Sequence, residues 1–294
     1  MKVSMALLCL IWGFNFVNMK LGNGTFPPVL FAALRFLIGS FVLLSFSFIH
    51  RTPLPNKTDL KWYAICGLLQ TTYFNIAIQL ALNDLSAGLT SVLTYSMPLF
   101  LSIMAHWWLP GERLTRRKLV GIVLGLFGLF IATDIHGGGS LIAVLLVLSS
   151  AVAWALSSIL FKIKLKHCDS TQYTTWQMTI GTLGLVAYTL FFENGNSQWG
   201  VMPVIYLLHG GIVGSALAFV IWNRILIRTE SSKASIPLLL VPIVGIVFGC
   251  LFLQEQFKIV TLAGMCLVLI GIGVVNLDST RRSHTFEADN QPSS

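Results

Sequence analysis

Ten apolar runs, each near the ~20 residues that carry an α-helix across a bilayer, follow one another with short polar breaks. Read by hydropathy, they predict helices over 3–19, 28–49, 61–82, 86–109, 117–133, 140–161, 171–192, 201–223, 233–254 and 258–277. These runs take up most of the 294 residues, and no break is long enough for a separate soluble domain. Only 10% of residues are charged, against about 25% in a soluble chain. An ordinary cytosolic enzyme and a disordered chain are excluded, and a sensor has no room for its output domain. The expected fold is an all-α integral membrane protein, whose partners are the lipid bilayer and a small-molecule substrate.

The net charge of +8 needs no nucleic-acid partner. With the amino terminus inside, sixteen of the nineteen Lys and Arg residues fall in inner loops and tails, including Arg51, Lys57, Lys61, Arg116, Lys118, Lys162, Lys164 and Arg224. Lys20 and Lys258 fall outside, and Arg35 lies within a span. Positive residues kept on the cytoplasmic side set the orientation of a multi-pass chain. The expected location is the cell membrane, with both termini cytoplasmic. The opening Met1-Lys2-Val3 and its apolar run lack a small-x-small cleavage site, so they read as the first span and not as a signal peptide. Five cysteines (Cys9, Cys66, Cys168, Cys250, Cys266) are an odd number without metal-type spacing and read as small buried hydrophobes. No metal or cofactor is expected.

The chain also repeats itself. Trp12 and Trp154, Lys20 and Lys162, and Gly39 and Gly181 are each 142 apart. Tyr63 and Tyr206, Gly67 and Gly210, Glu112 and Glu255, Gly121 and Gly264, and Gly128 and Gly271 are each 143 apart, and Pro98 and Pro242 are 144 apart. Matches held in register along the whole chain mark a duplication. The expected units are 3–133 and 140–277, followed by a polar, disordered cytoplasmic tail, 278–294. Each unit holds five helices. An odd number makes the second enter the membrane from the opposite side, so ten transmembrane helices form two inverted five-helix repeats. That plan recurs in secondary transporters, whose site lies near the midplane between two rocking bundles.

The same segments carry a resemblance. Trp12-Gly13-Phe14-Asn15-Phe16-Val17, Leu34-Arg35-Phe36, Pro98 followed by Gly111-Glu112-Arg113-Leu114, and Gly121 through Gly128 are similar to the first EamA domain of the drug/metabolite transporter superfamily. Leu239-Leu240-Val241-Pro242-Ile243-Val244-Gly245 before Glu255 resembles the second. The resemblance implies ten helices, helices 1, 3, 4, 6, 8 and 9 around a central cavity, and export of amino acids or related metabolites. The Trp12 and Leu239 segments are most like exporters of cysteine and O-acetylserine. A homodimer is left open.

None of the eleven carboxylates falls in the middle of a predicted span. Cation exporters and proton pumps usually need one there, which counts against the rival reading of drug or cationic-compound efflux. No Walker loop is present for ATP drive, and no His/Asp/Glu cluster marks a membrane-edge enzyme. Arg35 is the one base well inside a span. It binds a substrate carboxylate, or it is a structural charge that snorkels or holds backbone carbonyls. Substrate-binding candidates are uncharged: Trp12 and Asn15 on helix 1, Asn75 on helix 3 with Gln70 and Gln79, Tyr95 on helix 4, and Trp154, Ser157 and Ser158 on helix 6. Trp12/Asn15 and Trp154/Ser157 share helix faces three residues apart, and the repeat sets the pairs opposite each other. Against that stand packing roles for the tryptophans and backbone bonding for the serines. Pro98 and Pro242 are hinge candidates, because proline kinks a helix interior. Glu112 and Glu255 read as end anchors pairing with bases such as Arg113 or Lys258. His209 is a candidate for proton coupling, with simple hydrogen bonding as its alternative.

Overall fold

A computed structural model describes residues 2–109, 112, 114–133, 140–219, 221 and 239–289. Every regular element among the described residues is helical. The helices are α1 (Lys2–Asn23), α2 (Pro28–Ile49), α3 (Leu60–Ala81), α4 (Ala87–Trp108), α5 (Arg116–Ala132), α6 (Leu141–Leu165), α7 (Ser170–Phe192), α8 (Val201–Leu217), α9 (Leu240–Leu253) and α10 (Ile259–Asp289). Five of them (α1 from Ser4, α2, α3, α4 and α6) have 20 to 25 residues and enough apolar character to cross a membrane. The expected end of helix 8 and start of helix 9 lie largely outside the described residues.

The surface explains why such a chain needs lipid. Large apolar side chains such as Phe41, Phe48, Leu145, Leu190 and Ile259 point outward. The interior carries Asn18, Arg35, Asn75, Gln79, Thr90, Ser91 and Ser157. Buried polar groups inside and apolar ones outside invert the pattern of a soluble protein.

Packing follows the repeat. α1 lies on α8 and α9, and α2 on α8; equivalently, α6 lies on α3 and α4, and α7 on α3. Helix α5 packs along α10 through glycines that leave no room for a side chain. A Cβ on Gly121 would sit 2.7 Å from the Gly271 carbonyl oxygen, and one on Gly128 would sit 2.8 Å from that of Gly264. The 143-residue spacing carries Gly121 onto Gly264 and Gly128 onto Gly271, so each contact maps onto the other. Only an antiparallel pairing of equivalent helices does this, and the repeats are therefore inverted.

Three local features depart from the sequence reading. Helix α3 widens into a π-helix over Leu68–Tyr73, α8 over His209–Leu217, and α6 at its end over Phe161–Leu165. Apolar periodicity does not register a change from four-residue to five-residue bonding. Helix α4 breaks at Tyr95–Ser96, and Pro98 is in the first turn of the segment Met97–Trp108. There a proline needs no hydrogen-bond donor, and the break lies just before it. Pro242 lies in the first turn of described α9. Finally, α10 runs on past Asp278 to Asp289. No Gly or Pro interrupts 278–289, so nothing stops the helix.

Candidate functional site

The two longer π-segments occupy equivalent places in α3 and α8, and such segments are frequent at functional sites. Arg35 of α2, only 1% exposed, stands against the α8 segment. Its Nη1 donates to Asn15 Oδ1 of α1 at 3.2 Å, and its Nη2 donates to Asn75 Oδ1 of α3 at 3.0 Å. Asn75 is aimed by its own Nδ2, which donates to the Thr71 carbonyl at 2.8 Å. The guanidinium carbon lies 5.0 Å from the Phe36 ring centroid and 6.0 Å from that of Phe31, within cation–π range. Gly210 of the α8 π-segment leaves space for the Arg35 stem, which a Cβ there would strike.

Arg35 is thus a buried cation clamped by two neutral amides, and among the described residues no carboxylate pairs with it. His209, at the start of the α8 π-segment and next to the Gly210 that meets the Arg35 stem, packs edge-on against Phe14 at 5.1 Å. Gln79, one turn beyond Asn75 on α3, donates from Nε2 to Asn23 Oδ1 at 2.6 Å. Three buried side-chain atoms among the described residues find no protein partner: Arg35 Nε, His209 Nδ1 and Gln79 Oε1. They lie on α2, α8 and α3 in turn. Buried polar groups are nearly always satisfied, so such exceptions call for an explanation.

The other site residues divide into two groups. Tyr95 and Trp154 pack edge-on at 6.0 Å, with Phe74 against Trp154 at 5.4 Å and Phe16 against Tyr95 at 6.4 Å. Ser157 donates to Gln70 Oε1 at 3.2 Å. Trp12 Nε1 donates to the Gly214 carbonyl at 3.3 Å, and its ring packs on Phe219 as well as against the apolar cluster that holds Phe16 and Tyr95. Each tryptophan lies against the π-helical partner of its own bundle, where the widened turn offers carbonyls and rings. Ser158 donates to the Trp154 carbonyl at 2.9 Å, the backbone bonding weighed against a binding role.

The end anchors also find different partners. Glu112 pairs with Lys162 at 3.4 Å and Lys118 at 3.7 Å, and Arg113 lies outside the described residues. Glu255 accepts from the Ala87 and Gly88 backbone N–H groups, because a helix N-terminus offers unsatisfied donors to a carboxylate. Several polar contacts were missed in sequence. Asn18 Nδ2 donates to the Tyr206 carbonyl at 3.0 Å, a bond that the buried-amide reasoning applied to Asn15 would have found. Asp59, His167 and Cys168 gather their side-chain donor atoms within 4.8 Å of one another, with His167 Nε2 3.0 Å from Asp59 Oδ2. They come from connections over 100 residues apart, a distance no local spacing reveals.

A polar junction buried in a lipid-facing helical bundle defines a multi-pass membrane protein built around its interior. Comparison with known proteins specifies which kind. The model of the EamA-like transporter family matches residues 2–133 and again 141–277. The chain is 33% identical over 279 residues to a Bacillus subtilis (strain 168) protein named Uncharacterized transporter YoaV, covering 93% of this chain and 95% of that one. It is 27% identical over 278 residues to a Salmonella typhimurium (strain LT2) protein named Probable amino-acid metabolite efflux pump, covering 90% and 91%. A solved crystal structure superposes with a TM-score of 0.66 over 95% of this chain and 97% of that one, at 18% identity, a likeness of fold alone. The chain belongs to the EamA-like transporter family. It is a membrane transporter, and its family and relatives are transporters or efflux pumps, not enzymes.

Proposed function

We propose that this transporter exports amino acids or closely related small zwitterionic metabolites across the cell membrane by alternating access, with both termini cytoplasmic. The observation that carries the reading is the set of three buried, unpartnered side-chain atoms on α2, α3 and α8. Arg35 Nε is a charged donor, Gln79 Oε1 is an acceptor, and His209 Nδ1 takes either role by tautomer. A carboxylate and an ammonium on one small molecule complement that set. Arg35 holds the carboxylate; Gln79 and His209 receive the ammonium. The surrounding amides fix orientation in a mostly apolar setting, the composition of a small-molecule site.

The charge sign separates this reading from cationic-drug efflux. A desolvated guanidinium repels a cation by far more than it would in water, and no acid in the described spans offsets it. The names of the Salmonella and Escherichia coli relatives, each named Probable amino-acid metabolite efflux pump, point the same way. The test is efflux from proteoliposomes loaded with a panel of labelled amino acids, with and without a pH gradient. Export of zwitterions, with cationic dyes retained, is the expected result. Export of cationic dyes alone would replace this reading with its rival.

A further inference from the structure

Glu112 and Glu255 occupy the same place in the two repeats, yet among the described residues their partners differ. Glu255 lies in the connection from α9 to α10. Its Oε1 accepts from Ala87 N at 2.5 Å and its Oε2 from Gly88 N at 3.1 Å, so it caps α4 of the other bundle. Glu112 stands on Lys162 of α6, a helix of the bundle that holds its own α4. The lysine mates differ to match. Lys162 takes Glu112, whereas Lys20 donates to the Leu85 carbonyl just before α4, the helix that Glu255 caps. Asn23 adds two cross-bundle bonds at the same end, to Asn83 Oδ1 at 2.9 Å and the Gln79 carbonyl at 2.8 Å.

At the membrane face bearing Lys20, then, α1 and the α9–α10 connection are both tied to the α3–α4 hairpin. Inverted repeats related by a pseudo-twofold axis in the membrane plane reach the opposite-facing state when the two repeats exchange conformations. The arrangement of one repeat mate is thus the template for the other. We propose that Glu255 and Glu112 are positioning residues for transport that set which face of the carrier is closed, and that this structure is the state closed at the Lys20 face. In the opposite state Glu255 leaves Ala87 and Gly88 and pairs with Lys20, the arrangement that Glu112 and Lys162 hold here. The proposal rests on alternating access but on no particular substrate.

Cross-linking tests it without any solute. Asn23→Cys with Asn83→Cys places two thiols across the closed face, and mild oxidation traps that state. In the full-length protein in detergent, the cross-linked fraction is followed by mass spectrometry against time. Glu255→Gln removes the charge that strengthens the cap and is expected to slow trapping about tenfold, the effect of ~1.4 kcal/mol. Glu112→Gln is expected to leave trapping as fast as in the parent or faster, because it weakens the state in which the Lys20 face opens. Opposite behaviour of the two repeat mates supports the assignment. Equal slowing by both, or no effect of Glu255→Gln, overturns it. If Glu255→Gln does not give monodisperse protein, Glu255→Asp, which keeps the charge but shortens its reach, makes the same measurement with the same expected slowing.

Discussion

Ser40 Oγ and Thr182 Oγ1 stand 3.0 Å apart, and 142 positions separate them in the chain. That separation is the repeat spacing itself, so each residue touches its own counterpart. Such a contact forms only where the axis relating the two repeats passes. Along the same pair of helices, Ser47 meets Thr175 at 2.9 Å, and Val29 N donates to Glu193 Oε1 at 2.8 Å. Rising numbers in α2 against falling numbers in α7 show the antiparallel crossing. Arg35 lies between these contacts, and it is on the α8 side of α2 that the polar junction forms.

The clamp on Arg35 predicts two distinct outcomes at one position. Asn75→Ala removes the Nη2 acceptor and leaves a buried donor open, which costs about 1–3 kcal/mol and lowers the melting temperature in detergent. Asn75→Asp instead gives the guanidinium a carboxylate partner. Thermal stability is expected to be kept or raised, while efflux of carboxylate-bearing solutes falls at least tenfold, because the charge meant for the substrate is neutralised from within.

Glu193 predicts a purely structural effect. Its two oxygens accept from Val29 N and Leu30 N at 2.8 and 2.6 Å, at the start of α2. Glu193→Ala is expected to cost about 1–2 kcal/mol, as loss of a helix cap does, read as a lower melting temperature. Glu193→Gln keeps one acceptor and is expected to cost less.

The α5–α10 seam predicts a steep size limit. Gly271→Val forces a side chain against the Gly121 carbonyl and the Gly125 backbone and is expected to destabilise by about 1–3 kcal/mol or more. Gly200→Ala is the matched control. Its φ of −179° is extended backbone, and the nearest atom to an added Cβ is 3.7 Å away. Its melting temperature is expected to stay at the parent value.

Pro98→Ala is expected to change stability by less than ~1 kcal/mol, since a first-turn proline makes no interior break. The α4 break survives it, held by Ser96 Oγ donating to the Leu93 carbonyl at 2.6 Å and by Leu99 N donating to the Ser96 carbonyl at 2.9 Å. Thermal melting of the two proteins checks this.

What the sequence disclosed was what hydropathy and register encode. The helical runs, the 142–144 spacing and the isolation of Arg35 inside an apolar segment are all visible in one dimension. The partners of Arg35 were not. Asn15 and Asn75 were singled out as buried amides, but their convergence on one guanidinium depends on how α1, α2 and α3 cross. The partner of Trp12 was not legible either: its bond to the Gly214 carbonyl lies in the π-segment of α8, and widened turns leave no mark in the periodicity. Glu255 was legible as an anchor but not as a cap, since backbone N–H groups have no letter in the sequence.

Direct competition at Arg35 decides whether the buried cation reads a carboxylate. Proteoliposomes loaded with one exported labelled amino acid would be assayed with unlabelled amino acid, its carboxamide and a cationic dye as competitors, for the parent protein and Arg35→Gln. The account predicts that the free amino acid competes and the carboxamide and dye do not, and that Arg35→Gln, folded by gel filtration, loses this discrimination together with export. Equal competition by the carboxamide, or undiminished and still selective export by Arg35→Gln, would contradict it.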